Sequence, residues 1–418
     1  MTKKNTALHY GWIVVLMGTL ATLGAHGFGR FSYTLILPPM REGLALTYTQ
    51  AGLLGTGNFI GYLICAFAGG FLASKYNSRY IISLSLLLMS LTMFLTGWAQ
   101  SFEWAFTMRL LTGLGNGAAY VPAMALGSVW FATRYRGLAT GIVSSGTGIG
   151  IMLGSLIVPC IITAYGPLGW RFAWYYLGGL LFFIGFVCFA FLRPRPESIG
   201  LRPFGEQKAP VEKTQSGKAI ASDPSGWRLI YRSKTAWHFG GVYFMYGFSY
   251  VIYITFFAAY LNNEIGWTGA RTSGLWALVG GLNILCGLIW GSISDRFGRR
   301  YSAALVYIAL ATAYLLFAFF KCTPAFYLSA VIFGLCSIGV PTIMAAASGD
   351  YLGRILAPAA LGFITLFFGI GQALGPAVGG YLADHFGTFT WTYILAAAVS
   401  LLGMAGSLLL PKPPVRQE

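Results

Sequence analysis

Long apolar runs alternate with short polar breaks along almost the whole chain. The runs fall near residues 11–38, 48–73, 80–99, 104–131, 138–164, 170–192, 237–261, 272–294, 301–320, 325–348, 358–383 and 388–410. Each is about 20 residues or more, enough to cross ~30 Å of hydrocarbon at 1.5 Å per residue. The pattern predicts an all-α membrane protein with twelve transmembrane helices. Glycines and prolines within the runs do not argue against helix, because neighbouring helices can satisfy backbone groups they free. The first run, from Gly11, is too long for a cleaved leader and is expected to stay as a span. One long polar stretch, 193–236, carries Pro194, Pro196, Pro203, Pro210 and Pro224. It reads as a cytoplasmic linker between two six-helix halves, 1–192 and 237–418.

Composition narrows the class. The chain is 56% hydrophobic and only 9% charged, where a soluble domain has about 25% charged residues. Its net charge of +16 would suggest a nucleic-acid partner in a soluble protein. With the N-terminus placed inside, however, 21 of the 27 lysines and arginines fall in the inner segments. Basic residues favour the cytoplasmic side. The charge is thereby explained, no nucleic acid is expected, and both termini are predicted to be cytoplasmic, with the protein in the cell inner membrane among its lipids.

Glycines recur at an offset of 221 residues: Gly70 and Gly291, Gly113 and Gly334, Gly141 and Gly362, Gly150 and Gly371, Gly154 and Gly375. The repeat predicts two pseudo-symmetric halves around a central path, a transporter arrangement. The segment Gly291-Ser-Ile-Ser-Asp295-Arg296-Phe-Gly298-Arg299-Arg300 closely resembles the loop signature of the major facilitator superfamily. The matching first-half segment has Ser74 and Asn77 where that signature has its acid and glycine. Arg109 to Gly117 is similar to the superfamily's fourth-helix motif, and Gly371 to Gly380, with Gly375 and Pro376, to its glycine–proline motif. His9-Tyr10-Gly11-Trp12, Arg136 to Gly141, Gly169-Trp170-Arg171 and Arg195 to Pro203 resemble the monocarboxylate and oxalate/formate branch. Gly27 to Tyr33, with Gln50-Ala-Gly52-Leu and Asn58, is similar to the YbfB/YjiJ group. The resemblance implies alternating access, with Gly291, Asp295, Arg296, Arg299, Gly375 and Pro376 tied to gating and packing. It also implies that spans 1, 4, 7 and 10 line the path.

Intramembrane ionisable groups are costly and usually functional. All eleven acids lie in loops, at span ends or in tails, which leaves Arg30, Arg109 and His26 inside. Arg30 is about 10 Å inward of the end of span 1, and Arg109 about 9 Å inward of Glu103. Two arginines at one level without a carboxylate invite an anion, and guanidinium suits planar oxyanions. Arg109 has a second reading, as a brace bonded to carbonyls of span 1. Tyr243, Tyr246, Tyr250 and Tyr253 share one face of span 7 by their spacing. Tyr33, Asn58, Tyr62, Asn116, Tyr120, Asn283 and Gln372 are further polar candidates, either for substrate or for helix–helix hydrogen bonds. His26, one turn before Arg30, is a candidate proton carrier.

No G-x-x-x-x-G-K-[ST] is present, since Gly217-Lys218 is followed by Ala219. The six cysteines have no C-x-x-C spacing and the four histidines are scattered, so neither metal nor cofactor is expected. The sequence reads as a secondary transporter rather than an enzyme, a monomer moving a small, monocarboxylate-like organic anion by symport, antiport or uniport. Efflux of hydrophobic drugs is the rival within the class. A non-transporting solute sensor is the rival outside it.

Overall fold

The computed structural model describes residues 9–75, 77–205, 230–352 and 357–410. Twelve helical segments follow one another in this order. The first, α1, spans Tyr10–Gly43 as an α-helix, a π-helical stretch over Leu23–Phe31 and a second α-helix. Then come α2 (Tyr48–Lys75), α3 (Ser78–Gly97), α4 (Phe102–Trp130), α5 (Thr133–Tyr165) and α6 (Gly169–Phe191). The second set is α7 (Lys234–Ala259, continued as a π-turn over Tyr260–Glu264), α8 (Gly269–Phe297) and α9 (Arg299–Phe319). It ends with α10 (Thr323–Cys336 and Gly339–Leu352), α11 (Ala357–Phe386) and α12 (Thr390–Leu408). The predicted runs match these segments to within a few residues. The exception is span 10, which is broken at Ser337 and Ile338.

Nine described stretches are long and apolar enough to cross a membrane, and one of them, Gly137–Phe191, holds parts of two helices. The remaining two, α2 and α4, carry the polar residues Asn58, Arg109 and Asn116, all buried. Polarity in these helices is thus turned into the bundle, away from lipid.

Helix starts are capped by side chains that satisfy orphan N–H groups. Ser101 Oγ accepts from the N–H of Trp104, Ser233 Oγ from that of Ala236 and Asn77 Oδ1 from that of Arg79. The turn from α8 to α9 passes through Gly298 at φ +86°, a conformation open to glycine and strained for other residues. The signature loop therefore needs its glycine for backbone geometry. Beside it, Arg299 donates to Asp295 at 2.6 Å and to Asp350 at the end of α10 at 2.8 Å. Arg296 and Asp295 are exposed, so the cluster pins the loop to α10 from the surface. In the first half, Arg79 instead donates to the Phe189 carbonyl at 2.6 Å. The side chain of Ser74 lies outside the described residues, as does the linker over 206–229.

Three of the repeated glycine pairs make equivalent contacts in the two halves, while the side of α2 at Gly70 lies outside the described residues. Gly113 lies against α2 backbone at Asn58, and Gly334 against α8 backbone at Val279. Gly150 and Gly154 lie against α1 at Leu23, Gly27 and Ser32, while Gly371 and Gly375 lie against α7 at Phe244 and Phe248. Helix 4 thus meets helix 2 as 10 meets 8, and 5 meets 1 as 11 meets 7. Small residues permit this close approach of backbones.

The two halves meet at the end of the bundle away from His9 and Leu410. Asp384 of α11 accepts from the backbone N–H groups of Tyr48 and Thr49 at 2.8 and 2.6 Å. Thr34 donates to the Ile254 carbonyl and Thr56 to that of Ala373. Gly52 rests on Pro376, and Gly148 of α5 faces Gly280 of α8. A Cβ at Gly150 would sit 2.6 Å from the Leu23 carbonyl oxygen and 2.8 Å from Gly27 Cα, whereas one at Gly141 meets nothing within 4 Å. Gly150→Val should therefore destabilise the bundle by about 1–3 kcal/mol or more. Gly141→Ala should be neutral. Thermal midpoints from fluorescence-detected size exclusion compare the two.

Candidate functional site

A cavity of about 190 Å³ lies between the halves, on the side of the seal nearer the chain ends. Spans 1, 2, 4 and 5 contribute His26, Arg30, Tyr62, Tyr120 and Thr147. Spans 7, 8, 10 and 11 contribute Tyr243, Tyr246, Tyr250, Asn283, Ser337, Phe368 and Gln372, with Trp276 beside them. No aspartate or glutamate lines it among the described residues, and Arg30 is its one permanently charged side chain.

Arg30 is only 5% exposed. Its guanidinium carbon sits 4.3 Å from the centroid of Phe59 and 4.7 Å from that of Tyr62. Ring faces thus take the place of a carboxylate, an attraction that grows when the cation is desolvated. Nη1 lies 3.2 Å from His26 Nε2. A guanidinium only donates, so this imidazole nitrogen accepts, and the ring is neutral with its proton on Nδ1. Nε and Nη2 of Arg30 and Nδ1 of His26 are buried without hydrogen-bond partners. The His26 ring lies against Tyr120, with centroids 3.6 Å apart and planes inclined by 38°, and meets Tyr62 edge-on at 5.7 Å. The residues sit on the π-helical stretch of α1, whose Gly27 allows the close fit to α5. π-Stretches of this kind occur often at functional sites.

Arg109 takes a different place. It is 1% exposed, does not line the cavity, and donates from Nη1 to the Gly29 carbonyl at 2.9 Å. Its guanidinium lies over Tyr33 and Trp174, at 4.6 and 5.2 Å. Asn58 Nδ2 donates to the Arg109 carbonyl and Asn116 Nδ2 to that of Ala25. Tyr33 donates to the carbonyl of Ala51. Each of these four side chains makes an interhelical bond, the geometry of the bracing reading of Arg109, while Arg109 Nε and the Oδ1 atoms of Asn58 and Asn116 stay without partners. Arg30 and Arg109 both border a small gap of about 10 Å³ beside the main cavity, which Arg109 does not line. Tyr253 also leaves the stripe. It pairs with Ser329 and packs on Phe333 inside the second half, because steps of 3, 4 and 3 drift around a helix of 3.6 residues per turn.

On the opposite wall, Tyr246 donates to the Ser337 carbonyl at the break in α10, and Asn283 donates to the Ser337 hydroxyl at 2.6 Å. Gln372 Nε2 donates to the Tyr250 hydroxyl, which leaves Gln372 Oε1 without a partner. Phe368, Trp276 and Ser337 were not singled out from sequence. Phe368 was within reach of pattern reading, since it precedes Gln372 by four residues on one helix face. The break at Ser337 had only the nearby Gly339 and Pro341 as signals.

The chain belongs to the Major Facilitator Superfamily, whose sequence model matches residues 19–357 and 242–418. It is therefore a multi-pass transporter-family protein and no enzyme. It is 23% identical over 390 residues to a Cupriavidus necator protein named probable sulfoacetate transporter SauU, covering 91% of this chain and 89% of that one. It is 24% identical over 421 residues to monocarboxylate transporter 12 of Xenopus laevis, covering 95% and 89%. In fold it is similar to a bacterial homologue of the human lysosomal transporter Spinster in an inward-facing, unoccupied conformation. That match has a TM-score of 0.73 at 18% identity, over 97% of this chain and 96% of the other.

The two arginines should respond oppositely to neutralisation. Arg30→Gln removes a buried charge that has no counter-ion and should raise the thermal midpoint of the ligand-free protein. Arg109→Gln leaves the Gly29 carbonyl unpaired and should lower stability by about 1–3 kcal/mol. Paired unfolding curves in one detergent check the contrast.

Proposed function

We propose that the protein carries a small organic anion across the cell inner membrane by alternating access, with Arg30 as the group that binds the anionic head. The carrying observation is the buried guanidinium of Arg30, with two unpartnered nitrogens and, among the described residues, no carboxylate in the cavity. Arginine offers planar paired donors to carboxylate or sulfonate. Among the relatives, one is named for sulfoacetate and another for monocarboxylates, which agrees with an acidic solute. Tyr62, Tyr120, Tyr243, Tyr246, Tyr250, Asn283 and Gln372 would read the rest of the molecule. Arg109, Tyr33, Asn58 and Asn116 would support the helices that hold Arg30.

With the termini cytoplasmic, the seal at Asp384 closes the outer side and the cavity belongs to the cytoplasmic side. The two halves, 1–192 and 237–418, would rock about it, with the Asp295–Arg299–Asp350 cluster and the glycines near Pro376 as moving contacts. His26 is the proposed proton site. An anion on Arg30 would compete for the guanidinium, release Nε2 and favour protonation of the ring beside the bound negative charge. A cationic drug is poorly served by a chamber whose fixed charge is positive.

In proteoliposomes, counterflow of benzoate, lactate and sulfoacetate is the direct test. Arg30→Ala should abolish exchange of whichever anion the wild type moves while the protein stays monodisperse. Unchanged exchange would remove the assignment of Arg30. His26→Gln keeps an acceptor for Arg30 and should retain exchange but lose accumulation driven by a proton gradient. Retained accumulation would exclude His26 as the coupling group.

A further inference from the structure

The cavity wall facing Arg30 is a set of nearly parallel rings. Tyr243 and Phe368 stack at 4.5 Å and 13°, and Tyr246 and Tyr250 at 4.6 Å and 7°. Phe368 links the two pairs, at 5.7 Å from Tyr246 and 5.9 Å from Tyr250, inclined by 13° and 20°. Four rings from α7 and α11 thus present one aligned aromatic surface at the cavity. Hydroxyl hydrogen bonds hold it in place, from Tyr246 to the Ser337 carbonyl and between Gln372 and Tyr250. Rings in such order favour an offset or edge-on aromatic partner beyond the gain from apolar area alone.

Size and polarity agree. An apolar cavity of about 150 Å³ takes up a benzene ring, and this one measures about 190 Å³, leaving room for one ring and a compact acidic group. One fixed positive charge matches one negative charge. Gln372 Oε1 is a buried acceptor with no donor, and the Trp276 indole N–H is a buried donor with no acceptor. Both border the same cavity. A ring substituent that is donor and acceptor at once, such as a hydroxyl, would satisfy groups otherwise costly to leave unpaired.

Resting on the reading of Arg30 as the anion site, we infer that the solute is a monoanionic aromatic acid of single-ring size, preferentially one bearing a ring hydroxyl. The charged group meets Arg30 and the ring lies against the Tyr243–Phe368–Tyr246–Tyr250 surface. Simple aliphatic acids of two or three carbons would fill the charged end only.

Equilibrium binding to purified full-length protein tests this with benzoate, hydroxybenzoate isomers, cyclohexanecarboxylate, acetate and lactate. Cyclohexanecarboxylate carries the same charge on a ring of similar size without a π-system. Benzoate should bind at least tenfold tighter than acetate and several-fold tighter than cyclohexanecarboxylate, and one hydroxybenzoate isomer should bind tighter still. Phe368→Leu should erase the preference for benzoate over cyclohexanecarboxylate. The wild-type comparison alone decides the matter if that variant does not fold. Acetate or lactate binding as tightly as benzoate, in a manner lost in Arg30→Gln, would overturn the aromatic class and leave the anion site standing. Binding of every anion undiminished in Arg30→Gln would overturn both.

Discussion

A guanidinium surrounded by aromatic faces, with no carboxylate in reach among the described residues, is the constraint from which the rest of the site follows. In a medium of low dielectric such a charge is stabilised by ring quadrupoles and one imidazole nitrogen, and part of its hydrogen-bonding capacity stays empty. The fold tolerates this because the surrounding bundle is held by many other bonds. Arg109 and Asn116 satisfy carbonyls of α1, and Asn58 of α2 satisfies one of α4, which ties the three helices together. One arginine thus acts as scaffold so that another, in the neighbouring chamber, can stay unsatisfied.

The π-helical stretch and the glycine contacts serve the same end. Backbone meets backbone where Gly27 faces Gly150, which draws α5 against the segment that bears His26 and Arg30. In the second half, the corresponding approach of Gly371 to Gly247 brings α11 against α7 and aligns Phe368 with the tyrosines. The sequence repeat is therefore visible in what each half builds at the cavity. The first half supplies charge, and the second supplies an aromatic wall.

Much of this was legible in the sequence. Hydrophobic run lengths gave the helices because lipid leaves the backbone few alternatives. The absence of membrane acids singled out His26 and the two arginines. Depth along a helix placed Arg30 and Arg109 at one level, yet depth says nothing about direction around the axis. The side on which Arg109 lies is set by Tyr33, Trp174 and the Gly29 carbonyl, contacts made between distant parts of the chain. Phe368 joins the site by stacking on residues more than a hundred positions earlier, and the opening of α10 at Ser337 is coupled to Tyr246 and Asn283. Periodicity within one segment cannot report such pairings.

Asp384 gives the seal between the halves a particular character. Its carboxylate accepts from the first free N–H groups of α2, so a residue of one half terminates a helix of the other. Negative charge at a helix start also meets the positive end of the peptide dipoles. Parting the halves at this end strips α2 of its terminator and hands those N–H groups to water. The cost of separating the halves there is then partly a solvation exchange, screened by dissolved ions, and it would depend on the saltiness of the medium on that face.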